Sequence, residues 1–249
     1  MKNSLPAFFA AGLALGTASS VYAGEGAHWG YKGENGPFNW GGLATEFSTC
    51  KEGKSQSPID ISSVTVTQLD DIEINYQPSP LQIKNNGHTL QVDIADGSSI
   101  THEGKTYKLL QFHFHSPSEH TIGGKAYDMV AHMVHKSDDN ELAVIGVMLE
   151  AGDENPVLKS IFDNAPKEPA SKKVEGVTLN PQDLLPEDLT YFTYTGSLTT
   201  PPCSEGVKWI VLTAPKNVSK EQVAAFTGIF PESVRPVQPV NGRVVKLGN

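Results

Sequence analysis

The stretch Leu109-Leu110-Gln111-Phe112-His113-Phe114-His115 constrains this chain more than any other. Successive side chains of a β-strand point to opposite faces, so this alternation gives one face to phenyl rings and the other to imidazoles. Phe112 and Phe114 can enter an apolar core while His113 and His115 look into a common space. Two residues along a strand advance about 6–7 Å. Ring nitrogens at that separation can converge on one ion, since Zn–N bonds are about 2.0–2.1 Å. The best source of a third ligand is the apolar run Met129-Val130-Ala131-His132-Met133-Val134-His135. Read as a strand, it puts Val130, His132 and Val134 on one face and Ala131, Met133 and His135 on the other, so His132 is the expected third ligand. A single histidine in an apolar strand is ordinarily a hydrogen-bonded core residue. The i, i+2 pair with a third histidine on a neighbouring strand is what favours a metal site. His120 and His135 read as structural histidines.

The chain opens with Met1-Lys2-Asn3, an apolar stretch from Leu5 to Leu15 and a small-x-small exit at Val21-Tyr22-Ala23. That is the pattern of a secretory signal peptide over 1–23, with 24–249 as the mature domain. The apolar part is too short to span a bilayer, and no later stretch is long enough, so no membrane insertion is expected. The two cysteines, Cys50 and Cys203, most simply pair in an oxidising compartment, although their spacing alone does not bring them together. The formal charge is −9, and removing 1–23 takes away Lys2 and no acid. An acidic chain without a basic cluster argues against nucleic acid and anionic membranes as partners.

No repeat, low-complexity tract or linker divides 24–249. Residues 24–56, with His28, Trp29, Tyr31, Phe38 and Trp40, read as an irregular segment pinned by its rings. Leu81–Lys84 and His88–Ile94 alternate around Asn85-Asn86-Gly87, a hairpin signal. Further strands are expected over 98–102, 107–115, the His132 run, 142–149, 191–194 and 209–212. The short turn at 136–140 makes the His132 strand and the 142–149 strand antiparallel neighbours. Helical periodicity marks 156–165, and the capping-box pattern Ser219-Lys220-Glu221-Gln222 begins a second short helix. The expected fold is a β-dominated single domain: a large, twisted, mostly antiparallel central sheet with a few short peripheral helices.

Gln111-Phe112-His113-Phe114-His115, Ser118-Glu119-His120, His132, Gly196-Ser197-Leu198-Thr199-Thr200-Pro201-Pro202 and Asn85-Asn86-Gly87-His88 together resemble the α-class carbonic anhydrases. His28-Trp29-Gly30-Tyr31, Asn35-Gly36-Pro37, Gln56-Ser57-Pro58 and Arg235-Pro236-Val237-Gln238-Pro239 look like further landmarks of that family, in order from about His28 to Val245. The Cys50–Cys203 pair looks like the disulfide of bacterial exported members, which implies a periplasmic location.

The resemblance implies one Zn²⁺ per chain on His113, His115 and His132, and reversible hydration of carbon dioxide to bicarbonate and a proton through zinc-bound hydroxide. Three neutral imidazoles leave the metal its full charge, which lowers the pKa of a bound water to about 7. Thr199 corresponds to the family's gatekeeper, donating its hydroxyl proton to Glu119, which can only accept when ionised. Gln111 would support a zinc ligand from behind. Val134, Val144, Leu198, Val207 and Trp209 match the apolar substrate wall, with Thr200 beside the substrate. His88 resembles the proton shuttle, with Tyr31, Asn86 and Gln91 on its water network. The expected state is a monomer or homodimer.

One departure stands out. The family usually places Glu two residues before the third histidine, and here that residue is Val130. Losing such a partner typically costs about 10–100-fold in metal affinity or activity, so His132 is expected to use water or another neighbour. Two other readings compete. His113-x-His115-x3-Glu119 resembles the first metal motif of cupins, with Glu119 as a ligand, but Tyr107 and Ala126 replace the framing glycines and no Pro-x-Gly-x-x-His follows. A non-catalytic binding protein on the carbonic anhydrase scaffold is the other, though such relatives have lost zinc histidines that are all present here.

Overall fold

The computed structural model describes residues 27–248. The signal-peptide expectation over 1–23, the first residues of the mature domain and Asn249 lie outside them.

Alternation builds the centre of the fold. The strand Lys105–His115 buries Phe112 and Phe114 completely, and the strand Met129–Lys136 pairs with it antiparallel, His113 opposite His132. Leu142–Ala151 adds to the far side of Met129–Lys136, again antiparallel, as the short turn between them requires. Pairing then continues in parallel to Glu205–Leu212 and antiparallel to Tyr191–Ser197. On the other flank, Leu90–Asp93 and Ser79–Asn85 form the expected hairpin. Among the described residues, thirteen strands join one sheet that is mostly antiparallel, with parallel pairings confined to a few neighbours.

The two faces of the sheet carry separate apolar clusters. Phe112, Phe114, Ala131, Met133 and Ile145 belong to the larger one, closed by the helices Pro156–Phe162 and Lys220–Thr227. Val130, Val144, Val207 and Trp209 belong to the second, on the imidazole side. The ladder shifts register between Leu109 and Gln111. That bulge lets Leu109 join the Phe112 face three residues away, an odd spacing that strict alternation forbids, and leaves Leu110 43% exposed.

Two expectations need adjusting. The aromatic segment before Gln56 contains short helices, Trp40–Leu43 and Thr49–Glu52, and is less irregular than expected. The strand Ala170–Leu179 was not foreseen because it lies at the sheet's edge and is almost wholly exposed, so it has no buried face to impose alternation. Its Gly176, at φ +72, sits within the register shift against Ser79–Asn85.

Candidate metal centre

His113, His115 and His132 meet on the imidazole side of the sheet. One nitrogen from each lies within 4.8 Å of the other two. The ring centroids are 5.1, 5.4 and 4.9 Å apart. Two rings are oriented by an oxygen behind them: Gln111 Oε1 accepts from His113 Nδ1 at 2.9 Å, and the Ser233 carbonyl accepts from His115 Nδ1 at 2.5 Å. With Nδ1 carrying the proton, each Nε2 keeps its lone pair for a ligand. His132 presents the other nitrogen. Its Nδ1 lies 3.8 Å from Glu119 Oε2, which is 3.6 Å from His115 Nε2, so Nδ1 is on the common side. Burial, reinforced by neighbouring imidazoles, holds His113 and His132 well below the usual histidine pKa. They are therefore neutral near pH 7, the form that binds a metal.

Glu119 is buried beneath this trio. Its Oε1 accepts the Arg235 backbone N–H at 2.9 Å. Burial raises its pKa above the usual carboxylate value, against lowering by His115, the Arg235 N–H, the Thr199 hydroxyl and the Arg235 charge. Thr199 is itself buried. The loop that carries Thr199 and Thr200 is tied down next to them: Cys203 N–H donates to the Thr200 carbonyl at 2.8 Å, and Cys203 forms a disulfide with Cys50 across 5.0 Å between Cα atoms.

A cavity of about 150 Å³ opens above the trio, lined by His113, His115, Tyr31, Asn86, His88, Gln91, Gln111 and Thr200, with Trp29 and Thr89. His88 stacks flat on Trp29, centroids 3.6 Å apart at 7°. Burial lowers its pKa, helped by His28. Asn86 has a structural task as well, because its Oδ1 accepts the His88 and Thr89 N–H groups, both at 2.9 Å, and so shapes the turn that aims His88. The Tyr31 hydroxyl is buried without a partner among the described residues. Gln91 donates to Asp93 at 2.5 Å.

Val134, Val144, Leu198, Val207 and Trp209 all fall in the second apolar cluster. The Trp209 ring lies 4.9 Å from that of His132, so this cluster adjoins the candidate ligands directly. Sequence reasoning missed the role of Ser233, because a backbone carbonyl leaves no trace in residue identity. It also missed Arg235, a buried cation whose guanidinium donates to Gln56 Oε1, the Ser57 carbonyl and the Cys50 carbonyl. A charge inside the Arg-Pro-Val-Gln-Pro string was the available signal.

Three converging imidazoles, two of them lining a cavity and all carried by one large sheet, define a protein with one three-histidine candidate metal site among the described residues. Comparison with known proteins narrows this class. The sequence model of eukaryotic-type carbonic anhydrases matches residues 35–248. A carbonic anhydrase from Klebsiella pneumoniae is 45% identical over 224 residues, covering 88% of this chain and 90% of that protein. One from Nostoc sp. is 44% identical over 224 residues, covering 88% and 85%. The structure of an α-carbonic anhydrase from Thermovibrio ammonificans with the inhibitor sulfanilamide superimposes with a TM-score of 0.87 at 44% identity, covering 89% of this chain and all of that one. The chain belongs to the eukaryotic-type, or α-class, carbonic anhydrase family.

Proposed function

We propose that this protein is a zinc enzyme that hydrates carbon dioxide reversibly to bicarbonate and a proton. The observation that carries the proposal is the convergence of three imidazole nitrogens beside an open cavity. The donor set fits the metal. Zn²⁺ prefers four-coordinate sites, and three histidines without a carboxylate ligand suit a catalytic position open to solvent. His113 Nε2, His115 Nε2 and His132 Nδ1 would hold it. Bound there, zinc would supply a Lewis acid that makes a coordinated water acidic near neutral pH.

The chain's own residues do the rest. Glu119, with one oxygen engaged by Arg235 N–H, has the other free to accept the Thr199 hydroxyl proton. This leaves the Thr199 oxygen as an acceptor facing the reacting centre and fixes which way the nucleophile's lone pair points. The Thr199 backbone N–H steadies charge that develops on the substrate oxygens. Carbon dioxide has no net dipole, so it is held by shape in the apolar wall of Val134, Val144, Leu198, Val207 and Trp209, beside Thr200. The proton released in each cycle leaves through the cleft waters bordered by Tyr31, Asn86 and Gln91 to His88, whose chemistry suits transfer near pH 7.

The leader pattern over 1–23 and the Cys50–Cys203 disulfide support an exported, periplasmic protein. Stopped-flow hydration of carbon dioxide by the purified mature protein, before and after zinc chelation, tests the central reading. Activity that disappears on chelation and returns with one equivalent of zinc is expected. A fully folded, zinc-loaded protein without hydration activity would refute it.

A further inference from the structure

Two of the three candidate ligand rings are held from behind by an oxygen, on Gln111 and Ser233. The third is not. His132 Nε2 is buried and has no hydrogen-bond partner among the described residues. Val130, on the same face of the strand two residues earlier, is completely buried and has only methyl groups to offer. A second nitrogen nearby is in the same condition. His120 bonds through Nε2 to the Tyr194 hydroxyl at 2.6 Å, yet its Nδ1 is buried without a partner. The two rings lie 6.2 Å apart, centroid to centroid, at 78°.

Buried polar atoms are nearly always hydrogen-bonded, to protein or to an ordered water. One water, at about 2.9–3.0 Å from each nitrogen, can span rings at this distance. Gly146 faces His132 across the ladder and sets no side chain against it; a Cβ built there would lie in ordinary contact, 3.7 Å from Val211 Cγ2 and 4.0 Å from His132 Cδ2.

We propose that one buried water joins His132 Nε2 to His120 Nδ1, and that His120 is thereby a positioning residue for the third zinc ligand. Every proton in this chain points the same way. With zinc on Nδ1, His132 Nε2–H donates to the water and the water donates to His120 Nδ1. His120 Nε2–H then donates to Tyr194, whose hydroxyl donates to Ser57 Oγ at 2.7 Å. The whole relay is uncharged, so no carboxylate stands behind His132 to raise its basicity. The inference rests on the zinc reading, and its consequence is faster metal release than a carboxylate at residue 130 would allow.

The test uses the zinc-loaded mature protein. A high-resolution structure shows a water within hydrogen-bond distance of both nitrogens; no water there overturns the proposal. In parallel, zinc transfer to an excess chelator is timed. His120→Phe releases zinc faster than wild type, and Val130→Glu releases it about 10–100-fold more slowly. Adding His120→Phe to Val130→Glu changes the rate little, because the carboxylate supplies what the water did. A folded His120→Phe protein that keeps the wild-type rate removes the positioning role. Should either variant fail to fold, the water in the wild-type structure decides. A wild-type protein that binds no zinc and hydrates no carbon dioxide sinks the parent reading, whereas an active zinc protein without that water sinks only this one.

Discussion

The backbone N–H of Arg235 donates to Glu119 Oε1 at 2.9 Å, while the guanidinium of the same residue holds the carbonyls of Cys50 and Ser57. One residue thus links the acid at the centre of the site to the segment that carries the disulfide. Burial lowers the Arg235 pKa to about 10, opposed by Glu119, so the side chain stays charged at neutral pH. Three interior hydrogen bonds, to two carbonyls and an amide oxygen, offset the cost of burying the charge.

Glu119→Gln separates acceptance from shape. The amide oxygen can still accept from Arg235, but an NH₂ group replaces the oxygen available to Thr199. We expect turnover to fall about 10²–10³-fold, with zinc content and melting temperature close to wild type. Stopped-flow kinetics and metal analysis on the same sample check this. Full activity in the variant would mean that Thr199 needs no anionic acceptor.

His88→Ala removes a group at the mouth of the cleft that forms no part of the imidazole trio. Turnover should drop up to about 10²-fold in weakly buffered solution. Added imidazole should restore it, since a mobile base can take the proton instead. The hydration step, read from isotope exchange at equilibrium, should stay at the wild-type rate. A loss that resists exogenous buffer would point to a packing role for the stack on Trp29.

Opening the Cys50–Cys203 disulfide affects both stability and the site. The bond closes a loop of 153 residues, for which chain entropy gives about 4–5 kcal/mol at most. Cys50→Ser with Cys203→Ser should therefore lower stability by several kcal/mol in denaturant melts. Turnover should fall as well, because Cys203 N–H anchors the Thr200 carbonyl in the loop that carries Thr199. Unchanged kinetics in the folded double variant would show that the loop holds its shape unaided.

Acid stability depends on a histidine outside the site. His135 is completely buried, with Nε2 at 2.7 Å from the Tyr76 hydroxyl, and burial lowers its pKa to about 4. The unfolded chain protonates near pH 6.5, so below that it binds a proton the native state refuses. Stability is therefore retained above pH 6.5 and is lost as pH falls towards 4, by about 3 kcal/mol at most. His135→Gln should flatten this slope in melts at pH 7, 5.5 and 4.5. Parallel slopes for variant and wild type would assign the acid sensitivity to other groups.

Local pattern was enough to read the hairpin around Asn86-Gly87, the strands bearing Phe112, His113, Phe114, His115 and His132, and the capped helix at Ser219, because period and turn chemistry are written into neighbouring residues. The three imidazoles could be paired from alternation and strand adjacency alone, since a single antiparallel ladder carries them all. The polar exposed edge strand Ala170–Leu179 and the bulge at Leu110 could not be read, as neither is imposed by a buried face of regular period. Nor could the Ser233 carbonyl behind His115, the Arg235 N–H on Glu119, or His120 lying against the unpartnered nitrogen of His132. Those contacts join residues up to 118 positions apart, and a backbone donor or acceptor acquires its partner only when the whole sheet has closed.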